Sequence, residues 1–163
     1  MKILVINGHP DKESYCQAIF QTIVESIDSK HHEVEVINLN EEDFDPVLRY
    51  GYRKRMEEDS FILRSQKLIQ WADHLIFVYP IWWSSMPSLM KGWIDRVFTP
   101  GIAYSANDQG IFIWNYLRGK QFKKLLKGKT SSIYATSMAP TWWYKFFSGP
   151  LNIPDSYGIS VLK

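Results

Sequence analysis

The stretch MKILVINGHPDKESYCQAIFQTIVESIDSKHHEVEVINL (residues 1–39) decides the fold class of this chain. The apolar run at residues 3–6, which ends at Asn7-Gly8-His9-Pro10, predicts a buried parallel strand followed by a loop. Apolar residues then recur at helical spacing, which predicts a helix over residues 15–28 that packs on this strand. Residues 33–39 predict a second strand. Together these elements make a βαβ unit, whose crossover is right-handed.

The rest of the chain continues the alternation of strands and helices. The predicted elements are a helix at 61–71, a third strand at 75–79, a helix that begins near Pro87 and a fourth strand at 132–135. Ser84 or Ser85 is the expected N-cap of the helix that begins near Pro87. Residues 40–59 and 99–129 read as surface excursions, and the lysine-rich end of the latter as a solvated helix end and turn. We expect one α/β domain over residues 1–163, a doubly wound parallel sheet that binds ligands beyond the carboxyl ends of its strands.

Composition excludes several classes of protein. Apolar residues make up 45% and charged residues 22% of the 163, with a net charge of +2, which is typical of a globular domain and disfavours disorder or nucleic-acid binding. No apolar run approaches the roughly 18 residues of a membrane span. The single cysteine, Cys16, lacks companions at zinc-ligand spacing, so we expect no metal site and a reducing, cytoplasmic location. Seven tryptophans suit a planar ligand, a thick core or a dimer interface.

The loop after the first strand offers groups that bind phosphate. Neither G-x-G-x-x-G nor G-x-x-x-x-G-K-[ST] is present, which argues against a dinucleotide-binding Rossmann protein and a P-loop kinase. His9 and Ser14 flank a turn that leads into a helix N-terminus, where unpaired backbone N–H groups attract phosphate. The alternative is that Ser14 is only an N-cap and His9 an ordinary loop histidine.

The segment after the third strand carries a more specific pattern. It reads YPIWWSSMP (79–87), SLMKGWIDRVF (88–98) and GIAY (101–104). This stretch resembles the flavodoxin-like NAD(P)H:quinone oxidoreductases, the DT-diaphorase-like family, and a bacterial branch of it. Members of that family carry a Pro-x-x-Trp loop, a Lys-Gly-Trp-x-Asp/Glu-Arg-Val-Phe helix and a Gly-x-Ala-Tyr turn. The resemblance runs from residue 1 to about residue 152.

The resemblance implies both a fold and an activity. The fold is flavodoxin-like with strand order 2-1-3-4-5. The activity is transfer of a hydride from NAD(P)H through a bound flavin, FAD or alternatively FMN, to a quinone-like acceptor with ping-pong kinetics. The family also implies a homodimer, with residues 44–59 and 101–115 as candidate contacts.

The resemblance further implies a set of site residues. The loop at 80–84 is expected to follow one edge of the flavin ring, with backbone N–H groups on the ring atoms and the Trp83 indole against the ring. Trp93, by contrast, is predicted to lie in the core. For Cys16 a small buried thiol is the alternative. The expected catalytic residues are Trp83 and Tyr144, and the expected cofactor-binding residues are His9, Ser14, Tyr15, Cys16, Pro80, Ile81, Trp82, Trp83, Ser84, Thr136, Ser137 and Met138.

The sequence departs from the family pattern toward its C-terminus. A Thr-Ser-Met-Ala segment (136–139) stands where relatives have Thr-Thr-Gly-Gly, and the acceptor-side histidine position falls at residues 148–149, Ser-Gly. The missing histidine supports an alternative reading as a regulatory or binding subunit with little turnover. Only residues 151–163 remain after Pro150, so we expect the fifth strand to be short or missing and the fourth strand to be an exposed edge.

Overall fold

The computed structural model describes residues 1–106 and 122–138. Within these ranges residues 2–97 alternate strands and helices, as the sequence predicts, whereas the described part of residues 99–129 carries two short strands that the sequence does not predict. The elements are β1 (Lys2–Asn7), α1 (Tyr15–Ser26), β2 (Glu33–Asn38), a 3-10 turn (Leu39–Glu41), α2 (Ser60–Trp71), β3 (His74–Pro80), α3 (Ser88–Val97), β4 (Tyr104–Ala106), β5 (Phe122–Lys124) and β6 (Thr130–Thr136). None of the helices in the described ranges is long and apolar enough to cross a bilayer.

Four of the strands form a parallel sheet in the order β2-β1-β3-β6. The fourth predicted strand corresponds to β6, so the predicted order is confirmed for four strands. The order reverses between β1 and β3, and a doubly wound sheet opens a ligand crevice at that reversal. The prediction of a short or missing fifth strand concerns residues 151–163, which lie outside the described residues.

Side chains of β1 point alternately into two apolar cores. Leu4 and Ile6 pack with α2 and α3, whereas Ile3 and Val5 pack with α1. All four residues are at most 5% exposed. Because both faces of the strand are covered, the run is continuously apolar and does not alternate with polar residues. The helices therefore lie on both sides of the sheet, which confirms the doubly wound α/β fold.

The first excursion (residues 40–59) lacks long regular elements, as predicted, but contacts with α3 hold it in place. Arg96 on α3 is buried, and its Nη1 donates to the Asp45 carbonyl at 2.6 Å and lies 3.5 Å from the Asp59 carboxylate. A Cβ on Gly92 would lie 2.2 Å from the Pro46 carbonyl oxygen. The glycine of the Lys-Gly-Trp motif is therefore needed because the excursion approaches α3 this closely.

Two local predictions are wrong. Pro87, and neither Ser84 nor Ser85, occupies the N-cap position of α3, and no side-chain cap hydrogen bond forms there. The lysine-rich segment is not a helix end, because its described part is strand β5, which pairs with β4, followed by a turn. Lys129 from this segment donates its Nζ protons to the carbonyls of Gln70 at 2.8 Å and of Ala72, at the C-terminal end of α2. Tertiary contacts of this kind override local composition.

His74 should make stability depend on pH. Its ring contacts the hydroxyls of Thr130 at 2.6 Å and Ser132 at 3.1 Å, and burial lowers the pKa of the imidazole below its ordinary value of about 6.5. The folded chain therefore favours the neutral ring more than the unfolded chain does. Stability is fully present above about pH 6.5 and is lost as the pH falls through the lowered folded-state pKa.

Thermal unfolding at about pH 7.5 and 5.5 measures this effect, with His74→Gln as the control that keeps hydrogen-bonding groups but cannot titrate. Wild-type protein should lose more stability on acidification than His74→Gln. Equal losses in the two proteins would contradict the assignment to His74.

Candidate functional site

Three loops meet at the carboxyl edge of the sheet. The first follows β1 (residues 8–14), the second follows β3 (residues 81–87) and the third begins after β6 at residue 137. The His9 and Trp82 rings lie edge to face, with centroids 5.4 Å apart. The Ile81 N–H donates to the Thr136 carbonyl at 2.7 Å. The Cys16 sulfur lies 3.2 Å from the Thr136 hydroxyl. Residues predicted from three separate loops are thus joined around the switch point between β1 and β3.

The first loop ends in a capped helix N-terminus. Ser14 Oγ accepts from the Gln17 N–H at 3.2 Å, so the predicted N-cap role is confirmed. This contact leaves the Ser14 O–H proton available to a ligand. The N–H groups of Tyr15 and Cys16, in the first turn of α1, have no partner within the helix, because the first turn lacks preceding carbonyls. Such a terminus attracts anions and favours phosphate.

His9 is held in one tautomer. Its backbone N–H donates to Asn7 Oδ1 at 3.1 Å, and its ring Nδ1 accepts from the Asp11 N–H at 3.0 Å. A ring nitrogen that accepts a hydrogen bond from a backbone amide carries no proton, so the ring hydrogen sits on Nε2. The packing of the ring against Trp82 fixes its plane. The side chain therefore acts as a hydrogen-bond donor through Nε2.

Gly8 brings the first loop close to α3. Its N–H donates to the Val78 carbonyl at 2.8 Å, and a Cβ added there would lie 2.4 Å from the Met90 sulfur. Only glycine leaves room for this approach.

The second loop forms a strained two-residue turn. Trp82 and Ser85 exchange backbone hydrogen bonds of 2.8 and 3.0 Å. Between them, Trp83 has φ of 50° and Ser84 of 59°, the left-handed region that favours glycine. The Trp83 side chain is 101% exposed and Trp82 is 45% exposed. Neither tryptophan is a core residue, and the Trp83 indole in the turn is fully exposed to solvent.

The structure revises which amides this loop can offer. The sequence predicts that backbone N–H groups along residues 80–84 face a ligand, but Pro80 has none. The amides of Ile81 and Trp82 already donate within the protein. The turn geometry places the amides of Trp83 and Ser84 outside the Trp82–Ser85 hydrogen-bond pair. Any ligand contact from this loop backbone therefore falls to those two amides.

Of the third loop, the structure describes the residues directly after the end of β6. Burial raises the pKa of the Cys16 thiol, partly opposed by its contact with the Thr136 hydroxyl. The thiol is 1% exposed and stays protonated at neutral pH, as expected for a small buried group that joins α1 to β6. Ser137 and Met138 are exposed beside the end of β6, as Tyr15 is at the start of α1. The predicted catalytic residue Tyr144 lies outside the described residues.

Relief of the strained turn gives a stability prediction. Ser84→Gly should raise the free energy of unfolding by about 0.5–1 kcal/mol, because a left-handed non-glycine residue costs roughly 1–2 kcal/mol and the added chain entropy of glycine offsets about half of this. Chemical denaturation of the ligand-free protein measures the change. Ser85→Gly is the matched control and should destabilise slightly, since φ at Ser85 is not positive. Destabilisation by both changes would contradict the strain.

The groups at this edge fit a planar ligand that carries a phosphate. Phosphate suits the helix N-terminus with the His9 Nε2–H and the Ser14 hydroxyl. A planar ring suits the exposed indole of Trp83 and the neighbouring amides of Trp83 and Ser84. Among the described residues no group of His, Cys, Asp and Glu side chains is placed to hold a metal ion.

Comparison with known proteins identifies the family. Residues 1–151 match the family described as flavodoxin-like fold. The ribosyldihydronicotinamide dehydrogenase-like protein traD of Penicillium crustosum is 29% identical over an alignment of 183 positions, which covers 98% of this chain and 67% of that protein. The ribosyldihydronicotinamide dehydrogenase [quinone] of Mus musculus is 28% identical over an alignment of 171 positions, which covers 92% of this chain and 73% of that protein.

A solved structure is also similar to this chain. The crystal structure of Smu.1420 from Streptococcus mutans UA159 superimposes with a TM-score of 0.73 at 34% identity, and the match covers 90% of this chain and 73% of that one. Sequence, strand order and loop pattern thus point to one group of proteins. The chain belongs to the flavodoxin-like-fold family, in its NAD(P)H:quinone oxidoreductase group.

Proposed function

We propose that this chain is a flavin-dependent oxidoreductase that transfers a hydride from NAD(P)H to a quinone-like acceptor. The observation that carries the proposal is the convergence, at the β1–β3 switch point, of a helix N-terminus suited to phosphate and a turn with an exposed indole. The name of the murine relative, a dehydrogenase marked [quinone], supports the reaction class.

The first loop would hold the phosphate of the cofactor. The amides of Tyr15 and Cys16 point from the start of α1, and the His9 Nε2–H and Ser14 hydroxyl add side-chain donors. These donors are fixed by internal hydrogen bonds before any ligand binds, so little ordering entropy is lost on binding.

The second loop would hold the ring. A bound flavin would supply the hydride-transfer chemistry between NAD(P)H and a quinone-like acceptor, and a single face shared by both substrates would make the kinetics ping-pong. The amides of Trp83 and Ser84 would stabilise negative charge at the ring edge, and the Trp83 indole would cover the ring. Catalysis by the protein then consists of positioning and electrostatics. Tyr144, proposed from the resemblance, would act on the acceptor side.

We further propose FAD as the cofactor, with FMN as the alternative, and a homodimer as the assembly. The first excursion exposes Val47, Tyr50 and Tyr52, by 52%, 43% and 58%. Exposed aromatic and aliphatic side chains in one segment suit an interface between two copies. Mass identification of flavin released from the purified protein and light scattering of the native protein test these two points.

The decisive experiment measures oxidation of NADH and of NADPH with menadione as acceptor and added FAD or FMN. We expect turnover with a cofactor-dependent yellow absorbance, and parallel double-reciprocal plots for ping-pong kinetics. Oxidation that stays at background in flavin-loaded protein would favour the regulatory-subunit alternative. Intersecting plots would contradict the shared-face mechanism while leaving the oxidoreductase assignment in place.

A further inference from the structure

A cluster of four amide side chains lies directly under the first loop. Asn7 is completely buried, Gln17 and Asn38 are 9% and 8% exposed, and Asn40 is half-buried. Asn7 Nδ2 donates to Gln17 Oε1 at 2.7 Å and to Asn38 Oδ1 at 2.9 Å. This amide cluster, Asn7, Gln17, Asn38 and Asn40, joins the ends of β1 and β2 to the first turn of α1.

The amide cluster holds the backbone of His9 from both sides. Asn7 Oδ1 accepts from the His9 N–H at 3.1 Å. Asn40 Nδ2 donates to the His9 carbonyl at 3.1 Å and to Gln17 Oε1 at 3.3 Å. Gln17 Oε1 therefore accepts from two amide groups, and its loss would affect both contacts on His9.

Stability alone does not explain this arrangement. Asn7 and Asn38 extend strands whose preceding residues, Ile6 and Ile37, are buried apolar side chains. Replacing a buried polar pair by apolar groups of similar shape is nearly neutral for stability. Hydrogen bonds among buried amides, by contrast, specify one arrangement of the backbone they contact, although one acceptor of this cluster, Asn40 Oδ1, is left without a partner.

We propose that the amide cluster is a set of positioning residues, which hold the loop between β1 and α1 in its binding shape before the ligand arrives. The three most buried members offer almost no surface to a ligand, so they act through the His9 backbone and do not bind the ligand themselves. The proposal deepens the proposed function, on which the identity of the ligand as a flavin rests.

The experiment compares substitutions at Gln17. Gln17→Met removes the shared acceptor at similar side-chain size, and Gln17→Glu keeps an acceptor oxygen for both amide donors. Exchange of the His9 and Asp11 amide hydrogens is measured by NMR in ligand-free protein, and FAD affinity by quenching of flavin fluorescence. We expect Gln17→Met to speed exchange of both amides and weaken FAD binding, each about tenfold or more, and Gln17→Glu to restore slow exchange.

Ser65→Ala is the matched control for buried hydrogen bonds. It removes the acceptor of the Trp93 Nε1–H, a 3.0 Å bond in the core on α2 and α3. This change should lower stability but leave exchange in the loop and FAD affinity within about twofold of wild type. Asn40→Ala, at a half-buried position, repeats the test by removing the donor to the His9 carbonyl if Gln17→Met does not fold.

The outcomes separate the two proposals. If wild-type protein binds neither FAD nor FMN but loop exchange responds to Gln17→Met alone, the flavin assignment fails and the positioning role stands. If Gln17→Met leaves exchange or FAD affinity of a binding-competent protein unchanged, the positioning role is overturned. An equal effect of Ser65→Ala on the loop overturns it as well.

Discussion

Replacing Trp93 with alanine is expected to lower the free energy of unfolding by about 3–5 kcal/mol, because it empties the largest side-chain volume in the core. Trp93 is 0% exposed and packs edge-on against Phe98, with ring centroids 6.0 Å apart. Its Nε1–H donates to Ser65 Oγ at 3.0 Å, so the substitution also leaves a buried hydroxyl without its partner. Denaturant unfolding followed by circular dichroism measures the loss.

Trp93→Phe is the informative companion to that change. It restores most of the packing volume but not the hydrogen bond, and should recover more than half of the lost stability. A Trp93→Ala protein that unfolds at the wild-type denaturant concentration would show that the core is misplaced.

Replacing Trp83 with alanine should lower cofactor affinity without lowering stability, in contrast to the change at Trp93. An indole that is 101% exposed in the ligand-free chain contributes no core packing. If it covers the flavin ring, its removal should weaken flavin binding by about 1–3 kcal/mol, or roughly 5- to 150-fold in Kd, as for aromatic platforms that stack on bases. Titration of ligand-free protein with FAD and with FMN measures the change.

Leu63→Ala is the control, because it removes an exposed apolar side chain on α2, which belongs neither to the three loops nor to the proposed dimer contact. Its flavin affinity should equal that of the wild type. Unchanged flavin affinity in Trp83→Ala would remove the ring-binding role proposed for this residue.

Local pattern was sufficient for the four parallel strands and the three helices, but not for the antiparallel pair β4 and β5. The continuous apolar run of β1 predicts a strand covered on both faces, and the Lys-Gly-Trp helix carries its own periodicity and recognisable motif. The loops that follow strands are then placed at one edge by parallel topology. The cap of α3 was mispredicted because Pro87 occupies the N-cap position without a side-chain hydrogen bond. The sequence before α3 does not distinguish a proline N-cap from a serine N-cap.

The sequence by itself determined the order of strands and helices and the chemical types available in each loop, because periodicity and turn residues act within short segments. Only the tertiary structure decided that the amides of Ile81 and Trp82 are already engaged, and that Trp83 and Ser84 adopt left-handed backbone conformations. It also decided that Asn7 meets Asn38, 31 residues away, beneath His9. Contacts between distant segments depend on how the cores pack and which strands pair, and no local pattern contains that information.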